Sequence, residues 1–297
     1  MQIGIDLGGT KIAGIVLNDG QVLVRERIET PRGSAQQILQ AIHALILTLE
    51  AAVDDSCTVG ICGPGSLNRQ GFIRNSNTTE LNGIALQSEL EKLSGREIRF
   101  SNDANCFALA EAVCGAGREF NTVFGAILGT GCGGGLIIDK KIIAGLNGIG
   151  GEWGHNPLTW MKQQELQEQR VCFCGQLHCN ETYISGSGLS YSYALQSGKR
   201  LSAKEVLTLS EQGDTTAMSC VDAYLDQLAR ALSAIINVFD PECIVLGGGL
   251  SQVSRIYQEV PEIWGKYIFS ESVATRLLPP HGGDSAGALG AAWLWHE

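Results

Sequence analysis

The chain has 297 residues, 44% hydrophobic and 18% charged, with a formal net charge of −10. That length carries two domains with real cores, and the composition is that of a globular chain. The acidic balance disfavours long contacts with nucleic-acid phosphates, so any phosphate binding must come from local backbone amides and a few cations.

The first residues enter a strand at once, and Asp6 interrupts the apolar run, so no signal peptide is expected. No stretch reads as apolar for long enough to span a bilayer. Of the ten cysteines, Cys57, Cys62, Cys106, Cys114, Cys132, Cys220 and Cys243 are scattered singly in apolar segments. They read as buried free thiols of a reducing cytoplasm. The 38 glycines against 7 prolines suggest many tight turns where backbone meets ligand.

In chain order, residues 2–7 predict a strand, Gly8-Gly9-Thr10-Lys11 a glycine turn and residues 12–17 a second strand. Asn18-Asp19-Gly20 is a hairpin turn into a third strand through Val22 and Val24. Residues 34–53 carry Ile38, Ile42, Leu45, Ile46 and Leu49 at helical spacing. A short strand over 58–61 ends at Cys62-Gly63-Pro64-Gly65, and 85–93 predicts an amphipathic helix. Residues 98–100 predict a strand, after which Asp103 opens the next helix. Within Ser101-Asn102-Asp103-Ala104-Asn105 a carboxylate at this junction can face a bound hydroxyl. The plain alternative is a helix cap, since Asn and Asp oxygens accept bonds from orphan backbone amides.

The opening pattern then recurs. Residues 123–128 predict a strand, Gly129-Thr130-Gly131-Cys132-Gly133-Gly134-Gly135 a glycine turn, and 136–138 another strand. The echo suggests an internal duplication of an α/β unit. It divides the chain near Gly115-Ala116-Gly117 into a domain 1–115, completed by a C-terminal helix 285–297, and a domain 116–284. The second half continues with a loop-rich insert over 145–179 and a long helix through Val221, Leu225, Leu228, Leu232, Ile235 and Phe239. A strand over 243–246 ends at Gly247-Gly248-Gly249, and an apolar helix closes the chain over 285–295.

Three glycine motifs carry phosphate-type chemistry. In Asp6-Leu7-Gly8-Gly9-Thr10-Lys11 the glycines let backbone approach an anion, Thr10 and Lys11 can donate to it, and Asp6 could hold hydrated magnesium. A plain hairpin turn is the alternative. In the run from Gly129 to Gly135, five glycines in seven positions weaken two strands, which favours a second phosphate clamp over packing. Gly247, Gly248 and Gly249 follow a strand and precede a helix whose start would face the ligand, or they form a tight strand–helix turn. Cys172, Cys174 and Cys179 lie within eight residues, downstream of His155. Three thiolates and one imidazole make a closed tetrahedral zinc site. Unpaired thiols, or a disulfide in an exported protein, are the alternatives.

Two glycine hairpins and a glycine strand–helix turn over echoing halves describe an actin-like ATPase-type α/β fold. The chain resembles the ROK family of repressors and sugar kinases over essentially its whole length. The resemblance rests on the Asp6 to Lys11 turn, Asn102-Asp103-Ala104-Asn105, Leu128-Gly129-Thr130-Gly131, Gly151-Glu152-Trp153-Gly154-His155, and Cys172-Phe173-Cys174-Gly175 with Cys179 and Glu181. The stretch from Asn75 to Gly83 and His155-Asn156-Pro157-Leu158 give a likeness to the family's fructokinases, with N-acetylglucosamine kinases as near neighbours.

The resemblance implies two actin-like (ribonuclease H-like) domains with an interdomain cleft, ATP and magnesium at the glycine turns (Asp6, Gly8, Gly9, Thr10, Lys11, Gly129, Thr130, Gly131, Gly247, Gly248 and Gly249), and a structural zinc on His155, Cys172, Cys174 and Cys179. It implies sugar contacts from Asn77, Asn102, Asp103, Glu152, His155 and Glu181, with Gly65 lining the same cleft. Asp103 would be the general base for transfer from ATP to the 6-hydroxyl of a hexose, fructose by the closer likeness, in a cytoplasmic homodimer with no nucleic-acid or membrane partner. Two departures stand out. His178 replaces the family's usual glycine before Cys179, which predicts a strained residue or a competing ligand. Cys62-Gly63 replaces the usual aliphatic residues before Pro64. A sugar-responsive regulator is the rival reading. It needs a DNA-binding module ahead of the first glycine turn, for which ten residues leave no room, and a non-catalytic sugar-binding protein would not need Asp6, Lys11 and Asp103.

Overall fold

The computed structural model describes residues 1–76, 78–281 and 283–296. The chain divides into two units, residues 1–121, 135–151 and 281–297 in the first and 122–134 and 152–280 in the second. These bounds differ from the expected 1–115 with 285–297 and 116–284, chiefly because 135–151 belongs to the first unit. A Cβ at Gly135 would lie 2.8 Å from Ala108 Cβ and 2.9 Å from Ala104 O, so this stretch is packed on first-unit helix.

Chain order gives β1 (Gln2–Leu7), β2 (Lys11–Asn18), β3 (Gln21–Glu29), α1 (Ala35–Val53), β4 (Thr58–Gly63), the two-residue strands β5 (Ser66–Leu67) and β6 (Ile73–Arg74), α2 (Leu86–Ser94), β7 (Ile98–Asn102) and α3 (Asp103–Val113). The first unit's sheet has the order β3-β2-β1-β4-β7, with β1, β2 and β3 antiparallel and β1, β4 and β7 parallel. Asp19 at φ 48° and Gly20 at φ 80° turn the β2–β3 hairpin, the pair of left-handed residues that a two-residue hairpin loop needs.

Ser34 caps α1 by accepting from the Gln37 amide at 3.3 Å, and the helix buries Ile38, Leu39, Ile42, Leu45, Ile46 and Leu49. By length and composition this helix could cross a bilayer, which corrects the sequence expectation. Its apolar face is instead packed into one cluster with Ile3, Ile5, Val59 and Ile61 of the sheet.

The chain continues through β8 (Thr122–Leu128), β9 (Cys132–Ile138), β10 (Lys141–Ile142), α4 (Gln163–Gln167), α5 (Glu181–Ile184), α6 (Gly186–Ser197), α7 (Ala203–Glu211), α8 (Thr215–Phe239), β11 (Cys243–Gly247), α9 (Ser254–Trp264), β12 (Arg276–Leu278) and α10 (Ala286–Ala292). A second five-stranded sheet has the order β10-β9-β8-β11-β12, with β8, β11 and β12 parallel. Two mixed sheets, each flanked by helices, give the expected actin-like α/β architecture. The last helix returns to the first unit. Cβ atoms at Gly4 and Gly60 would lie 1.9 Å from Ala288 O and 1.8 Å from Ala291 O, so only glycine lets α10 sit this low on β1 and β4.

β9 begins at Cys132, inside the stretch expected to be all turn. Only Gly129, Thr130 and Gly131 form the turn proper, closed by the Gly129 amide on Gly131 O at 3.0 Å. Gly133 O accepts from the Trp153 indole at 2.8 Å, and Gly135 admits α3. Half of the glycine run is therefore packing, against the sequence expectation. After β11, Gly249–Gln252 form a short 3-10 turn before α9, where a helix was expected to start directly at the glycines.

Candidate active site

In the first unit the β1–β2 turn is held from both sides. The Gly8 amide donates to Lys11 O at 3.0 Å, the Thr30 hydroxyl donates to Gly8 O at 2.7 Å, and the Thr30 amide donates to Thr10 O at 3.0 Å. Gly9, Thr10 and Lys11 stay exposed on this rigid frame. Asp6, the penultimate residue of β1, has its carboxylate against α10, where a Cβ at Gly287 would lie 2.6 Å from Asp6 Oδ2. Burial raises the Asp6 pKa; the Cys62 thiol lowers it, the Asp103 carboxylate raises it, and the Arg27 guanidinium lowers it. Asp6 and Asp103 therefore lie within electrostatic reach of each other.

Asp103 is not the helix cap. Asn102 is, its side-chain oxygen accepting from the Asn105 amide at 2.9 Å. Asp103 is the first residue inside α3, with Oδ1 accepting from the adjacent Ala104 amide at 2.8 Å. Its side chain remains accessible, yet the protein around it raises its pKa above the ordinary aspartate value by desolvation. The result is a reachable carboxylate with more affinity for a proton than a solvated one. Beneath the acids, Cys62 and Cys106 are fully buried. The neighbouring Cys106 thiol, and then burial, push the Cys62 thiol well up, so it stays neutral beside Asp6.

Asn77 lies outside the described residues. Gly65 has φ 87°, and a Cβ there would meet Arg74 O at 2.5 Å. It lies just before β5, where the left-handed backbone and this contact both require glycine.

In the second unit the loop from Glu152 to Glu181 carries the remaining candidates. Cys172 Sγ lies 3.6 Å from His155 Nδ1, and Cys174 Sγ lies 3.6 Å from Cys179 Sγ. The four ligand atoms all fall within 4.8 Å of one another. Metal–sulfur bonds near 2.3 Å imply tetrahedral edges of about 3.8 Å, so the donor set fits zinc in spacing and chemistry. The turn that brings the thiols together uses Gly175 at φ 88°, with the Cys172 amide on Gln176 O at 2.8 Å. The Cys174 thiol is lowered to about 7, first by the Gln176 amide, while burial drives Cys179 up to about 12. His178 is left-handed at φ 61°, as its departure from glycine predicted. It is not among the four gathered ligands, and its Nδ1 lies 2.8 Å from the Tyr183 hydroxyl instead.

Two residues beyond Cys179, Glu181 Oε2 accepts from the Cys132 amide at 2.8 Å. After burial, Glu181 and then Glu152 raise the pKa of the Cys132 thiol, which places both carboxylates near this one sulfur. The cysteine loop is thereby tied to the Gly129–Gly131 turn. The insert is anchored on its other side by buried Arg230, which donates to Thr159 O at 3.2 Å and Trp160 O at 3.0 Å and pairs with Glu165 at 2.5 Å.

The Gly129 turn opens on a cavity of about 1160 Å³ lined by Thr130, Ala203, Leu207, Leu250 and Val253 among others. Gly249 lines it too, whereas Gly247 is the last residue of β11. Gly248 has φ 79°, and a Cβ on it would lie 2.5 Å from Leu128 O. Its close approach to Leu128 and Gly129 supports the Gly129–Gly131 turn. Sequence reasoning missed the start of α6. There the Gly186 amide donates to Gly129 O at 2.7 Å, and Ser185 caps by accepting from Gly188 at 3.0 Å. The signal was present as Ser185-Gly186-Ser187-Gly188, a serine cap followed by glycines.

A sequence profile of the ROK family matches residues 2–297. The chain belongs to the ROK family. It is 38% identical over 299 residues to an N-acetyl-D-glucosamine kinase of Yersinia enterocolitica, covering 99% of both chains. Among solved structures it resembles a ROK hexokinase from Thermus thermophilus, with TM-score 0.89, 27% identity, and coverage of 98% of this chain and 96% of that one. It also resembles a ROK family glucokinase from Streptomyces griseus in complex with glucose and AMPPNP, with TM-score 0.77, 26% identity, and coverage of 99% and 98%. The sugar-kinase expectation stands at this level. Between the two likenesses the relatives favour the N-acetylglucosamine kinases over the fructokinases, since a second one, from Photobacterium profundum at 35% identity over 99% of both chains, is likewise an N-acetyl-D-glucosamine kinase.

Proposed function

We propose that this ROK-family protein is an ATP-dependent kinase that phosphorylates the 6-hydroxyl of N-acetylglucosamine. The observation that carries the chemistry is Asp103, an accessible carboxylate left uncommitted by the helix cap and raised in pKa by desolvation from the protein around it. In this reading Asp103 accepts the proton as the sugar O6 attacks the γ-phosphorus. The O6–P bond forms and the bond to the β-phosphate oxygen breaks. The exposed Thr10 hydroxyl, Lys11 and the glycine-turn amides stabilise charge on the phosphoryl oxygens.

Asp6 would hold magnesium, which suits a desolvated acid beside a second acid. Bound there, the ion neutralises phosphate charge. The cavity beside Gly129 would take the nucleotide, its apolar wall of Leu207, Leu250 and Val253 facing the base. Asn102, Glu152, His155 and Glu181 would contact sugar hydroxyls. Zinc on His155, Cys172, Cys174 and Cys179 would fix the loop that presents them, with His155 bound through Nδ1 and its other nitrogen free for the sugar. N-acetylglucosamine replaces fructose as acceptor on the strength of the relatives at 35–38% identity.

A coupled assay for ADP across N-acetylglucosamine, fructose, mannose and glucose tests the reading. The highest kcat/KM is expected for N-acetylglucosamine. A highest value for fructose would restore the fructokinase assignment, and no turnover with any sugar would remove the kinase.

A further inference from the structure

Thr78 stands where a helix cap belongs and does not cap. It precedes the 3-10 turn Thr79–Leu81, its carbonyl accepts from the Leu81 amide at 3.0 Å, and its side chain makes no capping bond. Its amide donates to the Ser76 hydroxyl at 3.1 Å, which fixes the backbone. The residue is 7% exposed, and its hydroxyl has no hydrogen-bond partner among the described residues. A buried hydroxyl left unpaired costs stability, and threonine is favoured at a cap because that bond is normally made. The hydroxyl is turned elsewhere. It lies 3.5 Å from the position a Cβ would take on Gly9, the residue at the crown of the Gly8-Gly9-Thr10 turn.

We infer that the Thr78 hydroxyl is a ligand of the phosphoryl group, donating to a phosphoryl oxygen seated on the Gly8-Gly9-Thr10 turn. This inference rests on the phosphoryl-transfer reading. Gly9 has a specific part in it, because a side chain there would stand in contact with the hydroxyl. The bond is made to the terminal phosphate of the nucleotide and strengthens as charge develops on the transferring group. Thr78 therefore acts on phosphate and leaves the sugar ring alone.

The test compares Thr78→Val, which keeps the branched shape and removes the hydroxyl, with Thr78→Ser, which keeps the hydroxyl. For Thr78→Val, kcat is expected to fall about tenfold or more, with the sugar KM within about twofold of wild type. The thermal midpoint should be unchanged or higher, since an unpaired buried hydroxyl has been removed. Thr78→Ser should recover most of the activity. Unchanged kcat in Thr78→Val overturns the inference. So does a loss of activity accompanied by a lower midpoint and no recovery in Thr78→Ser, the signature of a merely structural residue. Calorimetry with the magnesium complex of a β,γ-imido ATP analogue, without sugar, separates this inference from the sugar assignment. Weaker binding to Thr78→Val supports it even if no tested hexose is phosphorylated. Equal binding, or no binding to the wild-type protein, overturns it.

Discussion

The two units hold their candidate functional side chains by different means. In the first, Asp6 lies next to the end of a strand and Asp103 begins a helix, and both sit on regular elements locked by close packing of α10 and α3. In the second, Glu152, His155 and Glu181 lie at the ends of short turns in an irregular segment, gathered around four potential metal ligands. Regular elements fix a side chain through their core face and need no further cross-link. An irregular segment of about 30 residues has little regular structure to fix its side chains, so a metal can do there what strands and helices do elsewhere.

The sharpest way to break this contrast is at Asp103. Asp103→Asn should lower kcat by about 10²–10⁴-fold while nucleotide binding persists. Its effect on stability should have the opposite sign. The carboxyl pKa is raised in the folded protein, so protonation stabilises the fold below the ordinary aspartate pKa, and that gain is lost as pH rises through the raised value. At neutral pH the ionised group is a burden on the fold, and the asparagine variant should melt at the same temperature or higher. The two proteins should converge in strongly acid solution. In the wild type, kcat/KM should fall on its acid side at a pH above the ordinary aspartate pKa. A melting point well below wild type at neutral pH would place Asp103 among the structural residues.

The second unit should respond in the opposite way to loss of the proposed zinc. Stripping metal with a chelator, or Cys174→Ser, should lower the thermal midpoint by several degrees and raise the sugar KM about tenfold or more, with restoration on adding zinc to the stripped wild type. Because Glu181 also bonds the Cys132 amide, the KM for ATP should rise with that for sugar. Elemental analysis showing no metal, with full activity, would show that this loop is held by protein contacts alone, as the first unit's acids are.

Much of the first unit was legible because its signals are local. The β1–β2 turn, the α1 periodicity and the acid at the β7–α3 junction each depend on residues adjacent in the chain. The choice between Asn102 and Asp103 as cap was not legible, since both residue types cap and only backbone geometry separates them. The four metal candidates could be read from spacing, and the structure gathers them. The part of Thr78 could not be read, because a threonine that fails to cap looks the same in sequence as one that succeeds. The unit boundaries were misplaced for a similar reason. What assigns 135–151 to the first unit is contact between Gly135 and Ala104, Asn105 and Ala108, about 30 residues earlier.

The glycine run between β8 and β9 carries the comparison into a single stretch, with the smallest expected effects. Its first glycine and its last were alike in sequence, and the structure gives them different work. A Cβ on Gly129 would meet nothing within 4 Å, and Gly129 lines the cavity proposed for the nucleotide. A Cβ on Gly135 would press on Ala108 Cβ, Ala104 O and Asn105 Cα at 2.8–3.0 Å, and backbone cannot yield as a flexible side-chain tip does. Gly129→Ala should therefore leave the thermal midpoint unchanged and raise the KM for ATP a fewfold, because the added methyl lies where phosphate would approach. Gly135→Ala should cost about 1–3 kcal/mol of stability. Because the strain falls on α3, it should displace Asp103 and lower kcat with little change in the KM for ATP. If the two variants behaved alike, the division of this run into a ligand-facing turn and a packing strand would be wrong, and the phosphate clamp would extend over all of it.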